Sequence, residues 1–127
     1  MSIIVSFPDL LKNESRTDFE LATNLKVAYK VQNYNNHKPY LQIFENLDKM
    51  YVEEQIDIIY AALVSAEPTL ATKVTKAYFL NYMLDMYDMK RMFDIVKQII
   101  QGVMGITDEE LSEKEAEVAG GNQEALE

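Results

Sequence analysis

Val52-Glu53-Glu54-Gln55-Ile56-Asp57-Ile58-Ile59-Tyr60-Ala61-Ala62-Leu63 places Val52, Ile56, Ile59 and Leu63 at steps of four, three and four residues. That spacing keeps all four side chains on one face of a helix with 3.6 residues per turn, so it predicts an amphipathic helix. Glu53, Glu54 and Asp57 crowd its first turns, where negative charge meets the positive end of the helix dipole. Pro68 stops it.

Towards the N-terminus, Leu41, Phe44 and Leu47 recur at helical spacing and predict a helix over Tyr40 to Met50. The polar run Asn33-Tyr34-Asn35-Asn36-His37-Lys38-Pro39 separates it from an earlier helix that opens near Asn24. In that helix Leu25, Ala28, Tyr29 and Gln32 make one stripe, flanked by Val27, Val31 and Tyr34. Phe19-Glu20-Leu21-Ala22-Thr23 alternates, and pairs with Ile3-Ile4-Val5 as a small β-hairpin. Pro8-Asp9-Leu10-Leu11 suits the start of a helical turn, because proline fits the first helical position. Asn13 to Asp18 is polar and reads as a loop.

Towards the C-terminus, Leu70, Val74, Ala77, Tyr78 and Leu84 predict one helix from Leu70 to about Tyr87. From Tyr78 onward nearly every side of it is apolar, which places it at the centre of the fold. Met89, Phe93, Val96, Ile100 and Val103 define the last helix of the body, with Gly102 and Gly105 bracketing its end. Thr107-Asp108-Glu109-Glu110 is a capping box that encodes a helix to about Ala119, ended by Gly120-Gly121-Asn122. The expected fold is mainly α: a single compact domain of about five helices over residues 1–107, with a short N-terminal β-hairpin. Residues 108–127 form an acidic tail, partly helical or disordered.

Charge separates these two parts. The tail has eight acidic residues and one lysine, net −7, whereas the other 107 residues have 13 acidic and 11 basic, net −2. No basic face is available for phosphates, so nucleic-acid binding is disfavoured. Cysteine is absent, which excludes disulfides, thiolate metal sites and a cysteine nucleophile, and suits a reducing cytoplasm. The longest apolar stretch, Ala77 to Met89, is interrupted by Asn81, Asp85 and Asp88, short of the ~20 apolar residues a membrane span needs. The opening Met-Ser-Ile-Ile-Val-Ser-Phe-Pro has no basic segment and does not read as a secretion signal.

No catalytic, cofactor-binding or metal-ligating constellation emerges, so the chain is expected not to be an enzyme. His37 stands alone in a polar turn, without the spacing of a zinc site. Asp85 and Asp88 lie one turn apart, with Asp94 beyond, but no base or nucleophile accompanies them and they read as a solubilising stripe. The glycines are too scattered for a phosphate loop, and no nucleophile elbow exists.

The stretch with most to offer a partner is Tyr82-Met83-Leu84-Asp85-Met86-Tyr87-Asp88-Met89-Lys90-Arg91-Met92-Phe93. Met83, Met86, Met89 and Met92 fall every third residue, which makes a slanting band on helical backbone. Methionine is flexible and polarizable, so the band suits either core packing between two helices or an exposed patch that adapts to a partner. Tyr82, Met83, Met86, Tyr87, Met89, Met92 and Phe93 are the candidate partner-binding residues.

Three segments together resemble the tail assembly chaperones of long-tailed bacteriophages. Phe19 to Gln32, an extended piece running into a helix, resembles their opening segment. Val52 to Leu63, with its Tyr-Ala-Ala-Leu end, resembles their second landmark, and Ile95-Val96-Lys97-Gln98-Ile99-Ile100-Gln101-Gly102-Val103-Met104-Gly105 their last body helix. The resemblance spans about residues 19 to 105. It implies a helical protein of the bacterial host cytoplasm, made by a phage or prophage. Such a protein coats the tape measure protein, keeps it soluble and brings tail tube subunits to it. Self-association into a homo-oligomer, and a longer product made by ribosomal slippage, are also implied; no nucleic acid or membrane partner is. The rival reading is a small acidic adaptor or inhibitor whose tail covers a basic surface on a host protein.

Overall fold

The computed structural model describes residues 2–34 and 50–105. Strands β1 (Ser2–Ser6) and β2 (Asp18–Ala22) precede helices α1 (Leu25–Tyr34), α2 (Val52–Ala66), α3 (Leu70–Lys73), α4 (Lys76–Met86) and α5 (Met89–Met104). The fold is mainly α, with a two-stranded antiparallel hairpin at its N-terminal end. The helix expected over Tyr40–Met50, apart from Met50 itself, and the helix beyond Thr107, the acidic tail and the His37 turn lie outside the described residues. No helix among the described residues is long and apolar enough to cross a membrane.

In the hairpin Ile3 faces Leu21 and Val5 faces Phe19. These four side chains form the inner face, with Phe19 and Leu21 fully enclosed, while Ile4 and Glu20 point outwards. Strict alternation therefore does here what it does in any half-buried strand. The connection departs from the helical turn expected at Pro8. Asp9 takes a positive φ of 61° and the Leu10 amide donates to the Phe7 carbonyl at 3.3 Å. With proline at the second position, this is the pattern of a type II turn.

Helix α2 is the centre. Every residue from Gln55 to Val64 is buried, and β2, α1, α4 and α5 pack around it. The amphipathic face read from the sequence is only part of its buried surface. The expectation that the segment from Tyr78 is central is corrected here: α4 buries only Phe79, Tyr82 and Met83. Asn81 and Asp85 hold its other side in solvent, whereas α2 from Gln55 to Val64 is apolar or aromatic apart from Gln55 and Asp57.

Two further expectations are revised. In α1 the buried stripe is Val27, Ala28 and Val31, with Tyr34 half-buried, while Leu25 and Tyr29 are each 67% exposed. Both stripes have helical period, and the β-branched one meets α2. The helix expected over Leu70–Tyr87 is broken at Val74 and Thr75, both extended. Thr75 caps α4 by accepting the Tyr78 amide at 3.1 Å, and the buried Val74 offers its carbonyl to the Tyr60 hydroxyl at 2.8 Å. Asp88 caps α5 in the same way, accepting the Arg91 amide at 2.8 Å. Gly105 ends α5 in the left-handed region at φ 70°, as a C-terminal glycine should, whereas Gly102 lies inside the helix.

One buried charge lies within this frame. The Asp57 carboxylate, enclosed on α2, meets the Lys76 ammonium at 3.3 Å, and that ammonium lies 4.4 Å from the centre of the Tyr34 ring. Burial pushes the Asp57 carboxyl up from its ordinary 3.8; Lys76 pulls it back, and Glu53 and Glu54 add to the rise. The native state thus holds this proton more tightly than the unfolded chain. Its contribution to stability is fully present below the unfolded value and is lost as pH rises through the folded one. Asp57→Asn is expected to remove that decline. Urea unfolding at steps from about pH 3 to 7 should give a variant-minus-parent difference that grows with pH, and a pH-independent difference would refute it.

Candidate functional site

The seven candidate residues meet the rest of the molecule at the elbow between α4 and α5. Three tyrosines along α4 and at its exit reach back to the N-terminal segment. The Tyr78 hydroxyl donates to the Leu10 carbonyl at 2.9 Å, Tyr82 to Pro8 at 2.7 Å, and Tyr87 to Ser6 at 2.6 Å. Alternate carbonyls of the strand end and the turn that follows it are thereby matched to side chains spaced along a helix and its exit. Phe7, fully enclosed, inserts between them. Its ring centre lies 5.9 Å from Phe19, 5.6 Å from Phe79, 6.2 Å from Tyr82 and 5.7 Å from Tyr87.

Burial first, then the neighbouring Tyr87, Asp9 and Tyr78, push the Tyr82 hydroxyl up to about 12. Burial also raises Tyr87, against the opposing pull of Arg91, whose guanidinium sits 4.4 Å from the Tyr87 ring centre. Both hydroxyls therefore keep their protons near neutrality and act as donors. Their role is to clasp the chain, and the pairing of residues 6, 8 and 10 with 87, 82 and 78 gives no local signal in the sequence.

The methionines divide between two environments. Met83 and Met92 are enclosed in the core with Tyr82, and Tyr87 and Phe93 are half-buried against it. Met86 and Met89 stand 44% and 76% exposed. Helical spacing explains this. Met86 prolongs the inward row Phe79, Tyr82 and Met83 of α4, and Met89 begins the inward row Met92, Phe93 and Val96 of α5. At the elbow both rows run past the end of the core. Two core-facing side chains therefore emerge on either side of Tyr87. Leu84, 55% exposed, lies on the outer side of α4 and is not part of this pair.

Charges border the pair: Asp85 and Asp88 on one hand, Lys90 and Arg91 on the other, all exposed. The Asp88 carboxylate is engaged as the α5 cap. Among the described residues, no three histidines, cysteines or carboxylates stand close enough to hold a metal ion. What the arrangement offers chemically is a small, adaptable apolar surface with a mixed-charge rim, which suits protein contact.

Comparison of the chain with protein-family models, with curated proteins and with solved structures returned no match.

Proposed function

We propose that this chain is a binding protein without catalytic activity, a tail assembly chaperone of a long-tailed phage or prophage acting in the bacterial cytoplasm. It holds apolar helical faces of the tape measure protein and helps bring tail tube subunits to them. The family assignment rests on the resemblance over residues 19 to 105. The contact itself is supported by one observation above the others: Met86 and Met89 project beyond the core while Met83 and Met92 anchor the same rows within it. An exposed methionine pair fixed to a packed core combines a rigid base with side chains that adapt to varied apolar faces.

Co-expression with the tape measure protein of the same tail gene cluster tests this. The parent chain is expected to keep that protein in the soluble fraction and to co-purify with it. The double substitution Met86→Glu and Met89→Glu should leave the fold intact, because both side chains are open to solvent, and weaken the complex about tenfold or more. A parent chain that neither solubilises nor binds the protein overturns the chaperone reading. A folded double variant that binds as well as the parent overturns the role of the elbow. Loss of binding on removal of residues 108–127, with steep salt dependence, would instead favour the acidic adaptor.

A further inference from the structure

The outer edge of β1 has no neighbouring strand among the described residues. The Phe7 amide donates to the Thr17 carbonyl at 2.7 Å, and these residues continue the register in which Val5 faces Phe19 and Ile3 faces Leu21. Hydrogen-bonded pairs alternate along an antiparallel ladder. The backbone groups of Ile3, Val5 and Phe7 therefore point to β2, and those of Ser2, Ile4 and Ser6 point away from it. The Tyr87 hydroxyl on the Ser6 carbonyl agrees with this, since it approaches from the outer side. Among the described residues, the sheet has two strands and no other group bonds to this edge.

From Ser2 to Val5 the edge lacks the usual protection. Natural edge strands are guarded by charge, proline or a bulge. Ser2-Ile3-Ile4-Val5-Ser6 has none of these, and Ile4 is 67% exposed at its midpoint.

We propose that this edge pairs with β1 of a second copy of the chain, antiparallel across a two-fold axis at Ile4. Such an axis sets residue 2 against 6, 3 against 5 and 4 against itself. The sequence meets that condition: serine opposes serine, isoleucine opposes valine, and isoleucine opposes isoleucine. At the axis both Ile4 residues have outward amide and carbonyl groups, so they exchange two hydrogen bonds. Their exposed side chains then meet on the outer face. The two hairpins become one four-stranded sheet, ordered β2, β1, β1, β2. Charge favours the same choice. Residues 2–6 are uncharged, so this pairing sets no like charges opposite one another. Tyr87 closes the edge at Ser6, which keeps the pairing short and the dimer concentration-dependent. This inference does not depend on the chaperone reading.

Sedimentation velocity over a dilution series of the full chain is the first test. A dimer fraction that rises with concentration is expected, and Ile4→Lys should abolish it while leaving the urea midpoint unchanged. The second test uses the absence of cysteine. Ile4→Cys introduces a single thiol, and paired residues on such an axis lie ~5.5 Å apart at Cα, within disulfide range. Under mild oxidation it should form a covalent dimer at least about tenfold faster than Leu25→Cys, an equally exposed control. A parent that stays monomeric at every concentration, or a folded Ile4→Lys variant that still dimerises, overturns the proposal. If Ile4→Lys fails to fold, equal oxidation rates for the two cysteine variants overturn it. A monomeric parent whose Ile4→Lys variant loses the tape measure protein would assign the edge to a strand of that partner instead.

Discussion

Phe7→Ala is expected to lower the unfolding free energy by about 3–5 kcal/mol, the range for truncating an enclosed aromatic ring. The figure belongs at the upper part of that range for three reasons. Phe7 has no solvent exposure, and four aromatic rings surround it within 6.2 Å. The surrounding wall cannot collapse easily, because Phe19 is fixed in the hairpin and Phe79 is pinned between Tyr60 and Tyr82. Finally, the ring holds the type II turn whose carbonyls receive Tyr82 and Tyr78. Small domains are stable by only about 5–15 kcal/mol, so the loss removes a large share of the margin. Urea unfolding monitored by circular dichroism gives the size of the effect. Limited proteolysis should in parallel reveal faster cleavage between residues 8 and 17. A loss below about 1 kcal/mol, with no new cleavage, would mean that the N-terminal segment is not integrated into the core.

The parts of this fold that were legible in the sequence are those with a local period. Ile3 and Val5 alternate against Phe19 and Leu21, and the hairpin follows. Val52, Ile56, Ile59 and Leu63 repeat at helical steps, and α2 follows. Gly105 marks the end of α5 because a left-handed residue is needed there. Structure departs from the sequence pattern where period leaves a choice. In α1 two adjacent stripes were equally regular, and only the packing of Val27 and Val31 on α2 decides between them. At Val74 and Thr75 the apolar pattern continued through a break, because the buried Val74 serves the core in extended backbone as well as it would in a helix. The threonine cap at 75 was a readable signal that hydrophobic spacing obscured.

The site was legible in outline only. The methionine band singles out this segment, but its spacing does not divide it. Enclosure of Met83 and Met92 and exposure of Met86 and Met89 depend on where the core ends, which is a property of tertiary packing. The tyrosine clasp was invisible for the same reason. Its partners lie 68, 74 and 81 residues apart along the chain, and no local rule links them.

Gly102→Ala provides the sharpest test of how α5 seats on the segment joining β2 to α1. In an exposed helix interior this change is expected to stabilise by roughly 0.5–1 kcal/mol, through lower chain entropy and better helix propensity. Here the opposite is expected. A Cβ at position 102 would overlap the Thr23 Cβ and lie 2.6 Å from its Oγ1 and 3.2 Å from its Cγ2. Rotating the threonine side chain moves Oγ1 and Cγ2 but not Cβ, which the backbone holds. Thr23 itself is buried between β2 and α1, so that backbone has little room to yield. Helix α5 must therefore move away from Thr23, and overpacking of this kind costs about 1–3 kcal/mol. Thr23→Ala leaves the offending Cβ in place and should not rescue the variant. Thr23→Gly removes it and should. In the Thr23→Gly background, Gly102→Ala is then expected to be neutral or stabilising, whatever Thr23→Gly costs alone. The coupling energy from the four urea midpoints is the readout. Additive effects, or a Gly102→Ala variant more stable than its parent, would mean that the helix backbone does not rest on Thr23.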